Sequence, residues 1–146
     1  MGFLSQQAVR QRAASALAAV SGWKESRYHP ALFGMDTDEL MRAKTVFAVE
    51  HASLEAARDR QTLSHGAYVA STLRVRVITP LRPDNMVSDG DTTLQREHTA
   101  IQTVAAMSQA DITAIELSRV SRDAAQEGTH TLSDIEFRIH HRLALQ

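Results

Sequence analysis

Cysteine is absent from this 146-residue chain, which excludes a disulfide scaffold, a cysteine nucleophile and a thiolate metal site. No apolar run approaches the roughly 20 residues of a membrane-spanning helix; the longest weakly polar stretch is Ala13 to Val20. Charge of one sign is also lacking. With 16 Lys+Arg against 17 Asp+Glu, the net charge of -1 gives no general attraction to nucleic acid or anionic lipid. The six glycines are scattered and build no G-x-S-x-G elbow, P-loop or G-x-G-x-x-G. The first residues carry no basic region with an apolar run, and Gln6 stands where a myristoylation motif needs Ser or Thr. These absences predict a soluble protein made in a cytoplasm, with no membrane partner and no cofactor.

What is present is enough for one domain with a substantial core, since 43% of the residues are hydrophobic. Residues 1–146 are read as a single domain, with no repeat, low-complexity tract or linker. Ser5 can cap a helix running to about Val20, along which Val9, Ala13, Leu17 and Val20 recur at helical spacing, and Gly22 can end it. Gly22 to Met41 is irregular and reads as a connection reaching over the core, with a short helical turn capped by Asp36 or Thr37. Lys44 to His51 reads as a strand that is apolar on both faces. A polar segment, Ser53 to Ser64, follows as a hairpin tip, although Leu54 to Arg58 also has good helix propensity.

The next strand, Tyr68 to Ile78, alternates with Val69, Leu73, Val75 and Val77 on one face, and Pro80 and Pro83 end it. Asp91 is the expected cap of a second helix, Thr92 to Met107, whose apolar face is Leu94, Ile101, Val104 and Ala105. A strand at Ile112–Val120, a turn at Arg122–Gly128 and a last strand at Leu132–Leu145 complete the chain. Ile135, Phe137, Ile139, Leu143 and Leu145 share one face of that last strand; Glu136, Arg138, His140 and Arg142 share the other. The order predicts an α+β fold: a four-stranded, mainly antiparallel sheet with two helices on one face and a long β-hairpin arm. Leu73, Val75, Val77, Ile135, Phe137, Ile139, Leu143 and Leu145 are its expected core.

The reactive motifs fail individually. His140 and His141 are adjacent on a strand and point to opposite faces, so they cannot readily clamp one ion. Asp84 to Asp91 is acidic but lacks the EF-hand offsets, and reads as a turn. A site from His130, His140 and a carboxylate such as Asp134 or Glu136 is the remaining enzymatic reading, as a small metal-dependent or dispersed-triad hydrolase. Arg74, Arg76, Arg138 and Arg142 could gather on one sheet face as a phosphate-binding surface. Glu116 and Glu136 near the same face favour a mixed charge ladder instead.

Over about residues 5–145, the arrangement resembles the tail terminator and head–tail joining (neck) proteins of long-tailed bacteriophages. The likeness lies in the N-terminal amphipathic helix, the strand and polar hairpin, and the basic alternating strand Thr72-Leu73-Arg74-Val75-Arg76-Val77-Ile78. It continues in a helix after an acidic turn and a last strand from Asp134 to Leu143. The resemblance implies a structural, non-catalytic virion protein at the tail–neck junction. Such a protein forms a ring, usually sixfold, that ends tail-tube polymerisation and meets the neck or head completion protein. DNA would pass through that ring without sequence-specific binding. Candidate subunit-interface residues are Val9, Leu17, Phe47, Val49, Arg58 and Arg60. Loop candidates for tail or neck contact are Asp59, Gln61, Arg122, Asp123 and Glu127. The charged sheet face would comprise Arg74, Arg76, Glu136, Arg138 and Arg142. A small-ligand-binding α+β domain is a third reading, and the fold class alone favours none of the three.

Overall fold

The computed structural model describes residues 3–58, 66–107, 111–124 and 129–144. Ser5 caps the first helix, α1 (Gln6–Ala18), its hydroxyl accepting from the Ala8 amide. Val9, Ala13, Ala14 and Leu17 form the buried stripe of α1. The chain then makes β1 (Trp23–Glu25), a 3-10 turn (Pro30–Leu32), α2 (Asp38–Ala43), β2 (Thr45–Ala56) and β3 (Ala67–Pro80). A second 3-10 turn (Pro83–Asn85) leads into α3 (Met86–Ala105), followed by β4 (Ile112–Ala124) and β5 (His130–Leu143). The α+β class holds, but among the described residues the sheet has five strands in the order β1-β2-β3-β5-β4, and there are three α-helices.

The extra strand comes from the irregular Gly22–Met41 segment. Three residues are too few to show alternation, so β1 leaves no pattern in the sequence. It pairs in parallel with β2, Trp23 opposite Thr45, and Trp23 packs on Phe47 with ring centroids 6.0 Å apart. All other pairings of the five strands are antiparallel. Helices α1 and α3 cover one face through Phe47, Val49, Leu73, Val75, Val77, Ile135, Phe137 and Ile139. Thr37 caps α2, which lies over the opposite face with Met41 against Val46 and Ile78. Both faces of the start of β2 are therefore covered within one chain. Of the eight expected core residues, six are fully buried, Leu143 is half-buried and Leu145 lies outside the described residues.

Three boundaries and the expected arm differ from the sequence reading. Strand β2 runs on through Leu54, Glu55 and Ala56, which pair with Ser71, Ala70 and Val69, so the helical alternative for that stretch is wrong. Both hairpin strands stay inside the sheet over the described residues and do not stand off as an arm. Strand β4 continues through Arg122, Asp123 and Ala124, replacing the start of the expected turn. Helix α3 starts five residues before Asp91, because Arg82 reaches forward to Asp89. Its amide and its guanidinium each hold the Asp89 carboxylate at 2.7 Å. A carboxylate in the first turn also complements the helix dipole, and this pairing with Arg82 holds the Asp89 carboxyl below its usual range. The buried face of α3 is consequently Asp89, Thr93, Glu97, Ala100 and Val104, and Leu94 faces solvent.

At the far end of the sheet the N-terminal segment closes the structure. Leu4 donates to the Arg142 carbonyl at 2.9 Å and accepts from the Ala144 amide at 3.1 Å, in a parallel bridge to β5. Gly66 lies beneath Phe3 with a φ of +85°, and a methyl there would sit 2.8 Å from the Phe3 ring. Gly66→Ala is thus expected to cost about 1–2 kcal/mol through backbone strain and the clash. Urea denaturation should show a lowered midpoint with an unchanged slope; an unchanged midpoint would contradict the tight approach.

Candidate functional site

Alternation along β3 and β5 sends their even-numbered residues to the face opposite α1 and α3. On it, Arg74 bridges two strands, with Glu50 of β2 at 3.2 Å and Glu136 of β5 at 3.0 Å. The hydrogen bond to Glu136 raises the Arg74 pKa still further. Arg76 meets Asp134 at 3.0 Å and donates to the Pro30 carbonyl at 2.8 Å. Arg138 pairs with Glu55 at 3.3 Å, and His140 with Glu116 at 2.5 Å. Register also sets Arg119 opposite Glu136 and Glu116 opposite Arg138. Arg142 lies over the rings of Phe3 and Tyr68, and Arg58 over Tyr68 at 3.9 Å.

This is the mixed ladder, and it decides against a phosphate-binding surface. A phosphate would have to displace a carboxylate already seated on Arg74, Arg76 or Arg138. Each partly exposed pair contributes about 0–1 kcal/mol to stability. Its larger effect is to give the face balanced charge.

The remaining sequence candidates fall in different places. Val9, Leu17, Phe47 and Val49 are 0–2% exposed inside the core of one chain, so they present no surface to a neighbour. Apolar character on both faces of β2 reflects α1 on one side and α2 on the other. Arg122 and Asp123 are strand residues opposite Ser133 and Leu132. Asp59, Arg60, Gln61 and Glu127 lie outside the described residues.

The geometry does not bring the two histidines of the hydrolase reading together. His130 and His140 are at opposite ends of β5, paired with Pro80 and Ala70. Ten residues of strand separate them by roughly 33 Å, far beyond a shared ion. His130 meets the Thr129 hydroxyl at 2.7 Å. No group of three His, Asp or Glu capable of holding a metal occurs among the described residues. The Ser–His contacts of the sheet among the described residues are those of Ser71 with His51 and His141, and Ser71 is fully buried.

Sequence patterning missed a buried polar cluster between α3 and the sheet. Glu97, 4% exposed, receives Arg122 Nε at 2.6 Å and Nη2 at 2.5 Å, and the Ser133 hydroxyl at 2.7 Å. The bond to Glu97 raises the Arg122 pKa. The spacing Asp89, Thr93, Glu97, Ala100, Val104 was a readable helical stripe, but a stripe with two carboxylates looks solvent-facing until their partners are known. Also missed were exposed Met86, Val87 and Leu94 on α3, and an open groove of about 530 Å³ between α1 and α3 beside Arg12 and Met107.

No protein-family model matches the sequence, and no curated protein matches it. Among solved structures, the fold is similar to a chain from the virion of a native gene transfer agent (GTA) particle. The TM-score is 0.50 at 15% identity, over 94% of this chain and 93% of that one. The two chains thus share a fold along nearly their whole length, although their sequences have little in common.

Proposed function

We propose that this chain is a structural protein of a phage-type virion, acting without catalysis at the junction between tail and neck. In this reading, copies form a closed ring, sixfold in the expected form, on the last disc of the tail tube. One ring face matches the tube subunit and stops its growth; the other meets the neck or head completion protein. Heterologous contacts, in which different patches meet at each joint, are what such a ring needs.

The observation that carries the reading is the end-to-end fold likeness to a virion chain. The charge-matched sheet face supports it, because DNA crossing a ring must not be held by its phosphates. Cations already paired with Glu50, Asp134 and Glu136 displace few counterions from DNA.

The test is the mass and symmetry of the purified protein, by native mass spectrometry and negative-stain imaging across concentration. A closed ring with an open channel is the expected result. A monomer at every concentration that also fails to form rings on added tail tubes would overturn the reading.

A further inference from the structure

Three strands meet at a pair of imidazoles joined by one hydroxyl. Ser71 of β3 places its Oγ 3.0 Å from His51 Nε2 on β2 and 2.7 Å from His141 Nε2 on β5. Ser71 and His141 are buried and His51 is half-buried. A serine hydroxyl has one proton, so it donates to one ring and must accept from the other. The two rings are therefore opposite tautomers as long as both are neutral. Nδ1 of His141 is buried without a hydrogen-bond partner among the described residues.

We propose that His51, Ser71 and His141 form a proton-sensitive latch that locks the hairpin end of the sheet at neutral pH and releases it on acidification. One imidazole donates to Ser71, and Ser71 donates to the other, whose proton is on Nδ1. The latch ties β2, β3 and β5 together where the N-terminal segment also joins, through Leu4 to Arg142 and Ala144. Adding a proton to each ring turns both Nε2 atoms into donors aimed at one oxygen. The Ser71 proton then loses its acceptor. Two cations held no more than about 6 Å apart also repel.

Among the described residues, the surrounding charges offer no compensation. Glu50 and Glu55 of β2 are on the opposite sheet face, held by Arg74 and Arg138. Arg74, Arg142 and His140 also lie across the sheet. On α1, Arg10 is with Glu25 and Arg12 with Asp111, the residue preceding β4. At the C-terminal end of α3, Gln102, Thr103, Ala106 and Met107 line the groove beside Arg12, and none of these four titrates. Burial accordingly pushes both imidazoles below the ordinary value of 6.5, with His51 and His140 adding to the effect on His141 and the backbone of Arg142 and Leu4 opposing it. A pKa lowered in the folded state means that the open state binds more protons. The stabilisation is complete above the ordinary histidine value and is lost as pH falls toward the depressed one.

The experiment combines nitrogen-15 NMR of the histidine rings with amide hydrogen exchange between pH 7.5 and 5, corrected for intrinsic rates. The expected spectra show neutral rings of opposite tautomer at pH 7, one protonated on Nε2 and the other on Nδ1. Exchange at Leu4, Ala57 and Ala144 should accelerate on acidification below the ordinary histidine value, approaching about tenfold per pH unit for one linked proton and about a hundredfold for two. Val75 and Ile135, in mid-sheet, serve as the reference. His51→Gln, at the half-buried position, should reduce the steepness by one proton while the fold persists. Matching tautomers, a charged ring at pH 7, or Leu4, Ala57 and Ala144 tracking mid-sheet at every pH would overturn the latch. Unchanged steepness in His51→Gln would do the same.

Discussion

Phe137→Ala is expected to destabilise the protein by about 3–5 kcal/mol, the range for removing a large buried aromatic side chain. Phe137 is 1% exposed and sits in the middle of β5, opposite Leu73 of β3 and Leu117 of β4. Its ring belongs to the same cluster as Leu73, Val75, Ile135, Ile139 and the α3 residues Ala100 and Val104. The helices and three antiparallel strands cannot all close over the space left behind, so a cavity term adds to the lost transfer free energy. Chemical denaturation of the purified variant is the measurement. A loss under about 1.5 kcal/mol, the usual limit for a tolerated hydrophobic swap, would mean that the centre of the core lies elsewhere.

Glu97→Ala is expected to cost about 3 kcal/mol, although it removes a charged residue from a helix. The carboxylate is buried between α3 and β4–β5, where it takes two bonds from Arg122 and one from Ser133. Its loss leaves the buried Ser133 hydroxyl and one side of the Arg122 guanidinium without partners. Breaking a buried pair from one side costs about 3–5 kcal/mol; partial exposure of Arg122 puts the expectation at the low end. Glu97→Gln keeps an acceptor for Ser133 and should lose roughly half as much. Equal stability of Glu97→Ala and the parent in denaturant would show that the cluster is solvated in solution.

These two residues also mark what was legible in the sequence. Phe137 stood in a strict period-two pattern from Ile135 to Ile139, and patterns of that kind placed β3, β5 and the shared core face correctly. Helix α1 was equally readable because Ser5 and the Val9–Ala13–Leu17 stripe agree. Glu97 was not readable, since its burial depends on an arginine 25 residues later and a serine 36 residues later. The same limit explains α3 starting early: Arg82, four residues before the helix, decides the fate of Asp89. Strand β1 was hidden by its length, and the two-faced apolar pattern of β2 concealed α2 on its second side.

The charged face was legible as a ladder because both strands alternate cleanly and their acids fall opposite their arginines. The interface candidates were not, because an apolar residue in a helix or strand is equally suited to a core or to a neighbour. In Val9, Leu17, Phe47 and Val49 the core claimed all four. The fold likeness to a virion chain is independent of those assignments, because it spans nearly the whole chain and rests on no single side chain.

Stopping tail-tube growth is the central claim, and disruption of the gene in a producing strain tests it most directly. Electron microscopy of the resulting particles should show tubes extended well past the normal length and not joined to heads, restored to normal by the intact gene supplied in trans. Normal-length tails attached to filled heads in the disrupted strain would contradict the account.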